Sequence, residues 1–277
     1  MPWLSEVRYS RNACIAAIRD YYAFLAKMYV DESAIVEPPD GGWPGISVES
    51  MRDLDKSEEV ITLLRHLPYI RYLDDKTRRV QGAADCYFVD WDWASRSGPR
   101  VLKKLRSSTE DDLFYDAVPP HVIGLTESEE DCAAFLLDTN IGVVYWYECP
   151  GDIRYNPSRE PIRNEAHEYS RLRDAEWRAK CAAWAVADFF AMLKDRLCEL
   201  HSVPINSRIV MSAAITAGPD ADGMLPMLQH VYHEHGWPDL ERYSKQGCLE
   251  AVQKTLKEHY PLYAEDLLEG DGTESVD

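Results

Sequence analysis

No stretch of this chain approaches the roughly eighteen uninterrupted apolar residues that a membrane span requires. The first residues, Met1-Pro2-Trp3-Leu4-Ser5-Glu6, run into charged and polar positions rather than an apolar signal core, so a cytoplasmic location is expected. Catalytic fingerprints are missing too. There is no G-x-S-x-G, no Walker loop and no G-x-G-x-x-G, which removes the signatures of α/β-hydrolases, P-loop enzymes and dinucleotide-binding folds. The seven cysteines are odd in number, scattered and without C-x-x-C spacing, which suits reduced thiols better than a disulfide framework or a zinc site. Basic residues are in short supply, 30 against 48 acidic, for a net charge of −18. Such a balance opposes nonspecific binding to nucleic acid or to an anionic membrane, and it favours a basic protein partner. Residues 265–277 carry six acidic side chains and no basic one, which reads as an acidic flexible tail beginning near residue 261.

Apolar and aromatic residues are plentiful. Hydrophobic types make up 45% of the 277 residues, with eight Trp and sixteen Tyr. A chain of this length buries about 70–75% of its unfolded surface, so it needs neither metal nor disulfide to hold a core. The stretch Pro119–Gly151 holds three strand-like runs in close succession: His121–Leu125, Ala133–Asp138 and Ile141–Tyr147. The last two are joined by Thr139-Asn140, whose turn chemistry predicts a hairpin. Between the first two lies an acidic turn, Glu127–Asp131.

Helical spacing fills both flanks. Arg11–Tyr29 repeats Ile15, Ile18, Tyr22, Leu25 and Tyr29, with Asn12 as a candidate cap. Ser57–Leu67 predicts another helix, ended by Pro68. Cys86–Trp91 reads as extended, Asp74–Ala84 as an exposed loop, and Ser95–Asp116 as a solvated charged segment. Asp152–Arg173 reads as a long irregular connector. Asp174–His201 predicts the longest helix, with Trp177, Cys181, Trp184, Phe189 and Leu193 on one face. Helices over Met224–His235 and Leu240–His259 follow, and Gly-Trp-Pro at residues 42–44 and 236–238 is expected to pin two corners with buried indoles.

Three constellations bear on chemistry. His230 and His233 stand three residues apart on a helix, a metal-compatible spacing, although the run is not H-E-x-x-H and histidine near a helix C-terminus has an ordinary electrostatic reason; no metal and no cofactor is assigned. Asp90, Asp92 and Asp138 lie on or beside apparent strands, where paired carboxylates serve acid–base chemistry if they meet. Trp91, Trp93, Tyr145, Trp146 and Trp184 would supply either core or an aromatic ligand wall. The candidate binding residues are Trp91, Trp93, His121, Asp138, Tyr145 and Trp146.

The segments Gly41–Pro44, His66–Ile70, Pro119–Val122, Leu136–Thr139, Gly142–Trp146, Trp184–Phe190 and His235–Tyr243 resemble a group of uncharacterised proteins from filamentous fungi, over nearly the whole chain. More distantly, about Asn12–Cys149 resembles the SMI1/KNR4 (SUKH) superfamily, with Leu136–Trp146 matching its strand hairpin. That resemblance implies an α+β fold acting through protein binding, with a helical C-terminal extension of about 174–259 outside it. The expectation is one α+β domain over 1–260: a small antiparallel sheet packed against several helices, one long helix crossing it. The expected function is a non-enzymatic protein-interaction module with a basic protein partner. The alternative is a small-molecule enzyme, a cyclase or similar, with an aromatic-lined pocket.

Overall fold

Four short strands form the centre of the computed structural model, which describes residues 1–71, 79–111, 114–127, 133–212 and 221–264. In chain order they are β4 (Val122–Gly124), β6 (Phe135–Asp138), β7 (Val143–Trp146) and β8 (Ala182–Ala185), all antiparallel and in sequence order across the sheet. The hairpin is in the expected place, with Leu136 opposite Tyr145 and Asp138 opposite Val143. Thr139 and Asn140 lie in its turn, which runs on through Ile141 and Gly142. Asp138 Oδ1 accepts from the amides of Asn140 (2.8 Å) and Ile141 (3.3 Å), and Gly142 supplies the positive φ of 78°. A side chain on Gly142 would stand 2.7 Å from the Tyr9 nitrogen, so glycine is required twice over.

Because side chains alternate along a strand, the sheet has two apolar faces. Ile123, Phe135, Leu137, Val144, Trp146 and Trp184 enter the main core. Val122, Leu136, Val143, Tyr145 and Ala183 enter a second, smaller one. A sheet buried on both sides explains why these strands read as continuous apolar runs rather than as alternating ones.

The main core is walled by α1 (Arg11–Met28), α2 (Glu58–His66), α3 (Trp91–Ser97), α4 (Pro99–Glu110), α8 (Val186–Cys198), α9 (Met224–Glu234) and α10 (Lys245–His259). The second core is covered by α7 (Leu172–Lys180), by Phe114 and by the N-terminal Leu4 and Val7. Ser10 rather than Asn12 caps α1, its hydroxyl accepting from the Ala13 amide. Two-stranded ribbons complete the strands: β1 (Ile35–Val36) with β2 (Tyr69–Ile70), β3 (Tyr87–Phe88) with β5 (Thr126–Glu127), and β9 (Ser202–Pro204) with β10 (Val210–Ser212).

Both edges of the sheet are shielded, as soluble sheets require. The Ile162 amide bonds the Ala183 carbonyl at 2.7 Å, covering β8. On β4, Gly124 lies so close to Thr109 that an added Cβ would meet its carbonyl oxygen at 2.4 Å. The C-terminal end of α4 is therefore pressed against that edge.

The chain is α+β with small antiparallel sheets packed against helices, and four local expectations are corrected. Asp174–His201 is not one helix. It is α7, then β8, then α8, because Ala182–Ala185 pairs with β7 and places Trp184 opposite Val144. Helical and extended spacings coincide for a run as short as AAWA, and the vacant edge of β7 decides between them. The helix expected from Leu240 starts only at Lys245, since Asp239 holds a turn by accepting from Arg242 and Tyr243. Val80–Ala83 is buried rather than an exposed loop, with the hydroxyls of Tyr21 and Tyr29 donating to the carbonyls of Gly82 and Gln81. Asp152–Arg173 contains two short helices, α5 (Gly151–Tyr155) and α6 (Ala166–Tyr169). Both Gly-Trp-Pro corners are pinned by their indoles, Trp43 donating to the Leu67 carbonyl (2.8 Å) and Trp237 to that of Cys198 (3.1 Å). Residues 74–78 of the Asp74–Ala84 loop, residues 128–131 of the Glu127–Asp131 turn and the tail at 265–277 lie outside the described residues.

Candidate functional site

Asp138 ends β6 on the face turned toward α7. Near the C-terminal end of α7, Arg178 points back at the sheet. Its Nη1 stands 2.8 Å from Asp138 Oδ2 and 2.6 Å from the Tyr145 hydroxyl, and its Nε is 2.7 Å from Asp174. Arg178 and Asp138 are each 2% exposed at the side chain, so the pair is dry and must be satisfied from within. The chain of bonds continues outward. The Tyr145 hydroxyl meets that of Tyr169 at 3.0 Å, Tyr169 donates to Asn164 Oδ1, and the Asn164 amide donates to the carbonyls of Arg178 and Cys181. The guanidinium also lies 4.8 Å from the ring centroids of both Tyr145 and Trp177. Burial raises the Tyr145 hydroxyl well above its ordinary value, so it remains a neutral phenol.

His121 is a partly exposed member of this group, its Nε2 3.7 Å from Asp138 Oδ2. Burial holds its pKa below the usual histidine value, an effect that Asp138 opposes and Arg178 reinforces. A neutral imidazole against a carboxylate already committed to arginine is a poor proton relay. The assembly closes on itself, and its chemistry is that of a pin joining β6, β7, α6 and α7.

A second buried charge pair lies on the β4 side. Lys56 Nζ and Glu110 Oε1 are 2.6 Å apart, both side chains 0% exposed. The sequence places Glu110 in a solvated segment; instead it ends α4 against the sheet, with its carboxylate facing Lys56. Desolvation pushes it up to about 7 and pulls Lys56 down, so burial works against the charge on both partners.

The six sequence candidates therefore separate. His121, Asp138 and Tyr145 come together, joined by Arg178. Trp146 is on the opposite face, edge-on to Phe135 at 4.9 Å, and Trp184 packs beside Phe189 on that same side. Trp91 is buried and Trp93 half-buried, both on α3. An aromatic wall built from Trp91, Trp93, Tyr145, Trp146 and Trp184 does not form, because Tyr145 and Trp146 are adjacent strand residues and must point to opposite faces. The carboxylates separate as well. Asp90 caps α3, accepting from the Trp93 amide at 2.9 Å, and Asp92 pairs with Arg96 on the same helix. His230 pairs with exposed Glu234, while His233 Nδ1 lies 3.1 Å from the Trp237 carbonyl. Among the described residues no group of three or more His, Cys, Asp or Glu is placed to hold a metal ion.

Asp90 offers a test of this environment. Burial, with smaller contributions from neighbouring charges, raises its pKa to about 6. A folded value above the ordinary carboxylate range contributes stability that is fully present below that range and is lost as pH rises through about 6. Asparagine is an equally good cap without the charge. The advantage of Asp90→Asn over wild type is therefore expected to grow by about 2–3 kcal/mol between about pH 4 and about pH 7.5. Urea melts at the two pH values measure it, and a pH-independent difference would refute this account.

Sequence reasoning missed a groove of about 430 Å³ where the end of α1 meets α10. Leu249 supplies its apolar part, with Tyr29 buried behind it, and Asp31, Glu32 and Glu250 its acidic part. Lys245 also borders it, but its ammonium is turned to the carbonyls of Ala26 (2.8 Å) and Val30 (3.1 Å), finishing α1. Hydrogen bonds from the Ser33 side chain and amide hold Asp31 below the usual carboxylate range. The groove is thus lined by acidic side chains beside an apolar contact. No local sequence signal announces it, since Asp31 and Glu250 are distant in the chain. No protein-family model, curated protein or solved structure matches the chain.

Proposed function

We propose that this protein is a non-enzymatic protein-interaction module of the SMI1/KNR4 kind, acting in the cytoplasm and binding a basic partner through the groove between the end of α1 and α10. The observation that carries the reading is the groove itself, with Asp31, Glu32 and Glu250 around Leu249. An apolar contact flanked by carboxylates suits a segment that presents lysine or arginine beside a bulky apolar residue. The net charge of −18 supports the same polarity, steering a basic partner inward from a distance. The closed hydrogen bonding around Arg178 and the division of the aromatic residues between two cores favour binding over catalysis. No described helix is long and apolar enough to cross a membrane, which agrees with a partner reached in solution.

A fluorescent peptide of alternating lysine and leucine is the probe. Its anisotropy is expected to rise on titration with the protein and to fall back at high salt, since the contact is exposed. The exchange Glu32→Lys with Glu250→Lys is expected to weaken binding by roughly tenfold or more, about 1.4 kcal/mol. Binding that is indifferent to both the double exchange and salt would remove the groove as the site.

A further inference from the structure

The opposite side of the molecule carries a feature of complementary chemistry. At the corner between α6 and α7 the sequence runs Tyr169-Ser170-Arg171-Leu172-Arg173. Leu172, the first residue of α7, is 71% exposed, among the most exposed large apolar side chains described. Arg171 and Arg173 flank it, both exposed. Neither makes an ion pair among the described residues, on a chain with eighteen more acidic than basic side chains. The corner is also held in place from behind. Tyr169 is tied through its hydroxyl to Tyr145 and Asn164, and Arg178, later in the same helix, is locked to Asp138 and Asp174. An apolar knob between two cations is therefore presented on a rigid support, and little conformational freedom is lost when it docks.

We infer that the knob Arg171-Leu172-Arg173 of one copy of this chain docks into the groove of a second copy, giving a head-to-tail contact. The chemistry matches element by element. Leucine meets the partly exposed Leu249, behind which Tyr29 is buried, and the two guanidinium groups meet Asp31, Glu32 and Glu250. Arginine suits carboxylates particularly well, because its planar fork can engage two oxygens at once. The two surfaces belong to opposite sides of the sheet, since α7 covers the second core while α1 and α10 wall the main one. Knob and groove are different patches, so the contact is heterologous: each added copy leaves one knob and one groove open, and growth continues unless the chain of copies closes into a ring. The inference rests on the groove being the binding site proposed above, and it names the second copy as an occupant.

Sedimentation velocity of the full chain, over a concentration series at low and at high salt, reads the assembly. The expected result is a mass that rises with concentration past the dimer at low salt and returns to the monomer at high salt. Arg171→Glu with Arg173→Glu, and separately Glu32→Lys with Glu250→Lys, are each expected to leave a monomer. All four positions are exposed, so both variants keep the wild-type melting curve. Mixing the two variants is expected to restore assembly, because the acidic knob of one then fits the basic groove of the other and the remaining native pair is intact. A wild-type chain that stays monomeric at every concentration overturns the inference, as does assembly that survives either double exchange. If the lysine–leucine peptide still binds in that case, the groove reading stands and only the second copy is excluded; if the peptide fails as well, both fall.

Discussion

Replacing Lys56 by methionine is expected to lower stability by about 3–5 kcal/mol, and replacing Glu110 by leucine by a similar amount, while the two together are expected to be neutral or stabilising by about 1–4 kcal/mol. The reasoning starts from burial. Both side chains are 0% exposed and stand 2.6 Å apart, with Arg106 Nε 3.7 Å from the other carboxylate oxygen. Removing one partner leaves the other charged in a dry site, Lys56 with no close carboxylate or Glu110 with only the more distant Arg106. Removing both, and filling the volume with apolar atoms, deletes two desolvation penalties along with one attraction. Arg106 loses its contact with the carboxylate in the double variant, and that loss sets the lower end of the range. Urea denaturation of the four proteins as a double-mutant cycle makes the measurement. A double variant as unstable as either single one would show that the pair contributes net stability through its geometry.

Arg178→Met is the second large expected effect, a loss of about 3–5 kcal/mol. It strands Asp138, whose side chain is 2% exposed, and it releases the hydroxyl of Tyr145. Adding Asp138→Asn should recover most of the loss, because asparagine keeps the side-chain oxygen that accepts from the amides of Asn140 and Ile141. His121 reports the same event. Arg178 depresses its pKa, so the single variant should titrate higher than wild type by proton NMR, where Asp138 is left as its nearest counter-charge. A histidine that does not move, with stability unchanged, would mean that the arginine is no more than packing. The motivation for both experiments is the same: each charge was brought into a dry junction together with its partner.

The sequence disclosed the hairpin and most helices because those depend on neighbours in the chain. Thr139-Asn140 between two apolar runs announces a turn, and the spacing of Ile18, Tyr22 and Leu25 announces a buried helix face. The fourth strand was hidden. Ala182–Ala185 has no strong preference of its own, and what makes it a strand is the free edge of β7, contributed by residues almost forty positions earlier. Arg178 was hidden for a related reason. A helix pattern shows that it neighbours Trp177, but nothing local shows that the residue across from it is Asp138. One signal was present and went unread: Asp174 and Arg178 are four apart, the spacing of an intrahelical ion pair on the face that carries Trp177. His121 and Asp138 were singled out separately, and only the register of β4 on β6 brings them to the same corner. For the groove, composition gave the polarity and tertiary structure alone gave the place.

The late arrival of β8 has a consequence for the order in which this chain folds. β6 and β7 are joined by a four-residue turn and can pair within microseconds of collapse. β8 reaches the same sheet only after the 35 residues between Trp146 and Ala182 have closed into a loop, a restriction of about 3 kcal/mol by the logarithmic dependence on loop length. Much of the closure is repaid only when α7 lands on the second core and Arg178 finds Asp138. The arginine pin and the edge strand should therefore form as one late cooperative step, and native-state hydrogen exchange would see β8 and α7 open together while the hairpin beside them stays protected.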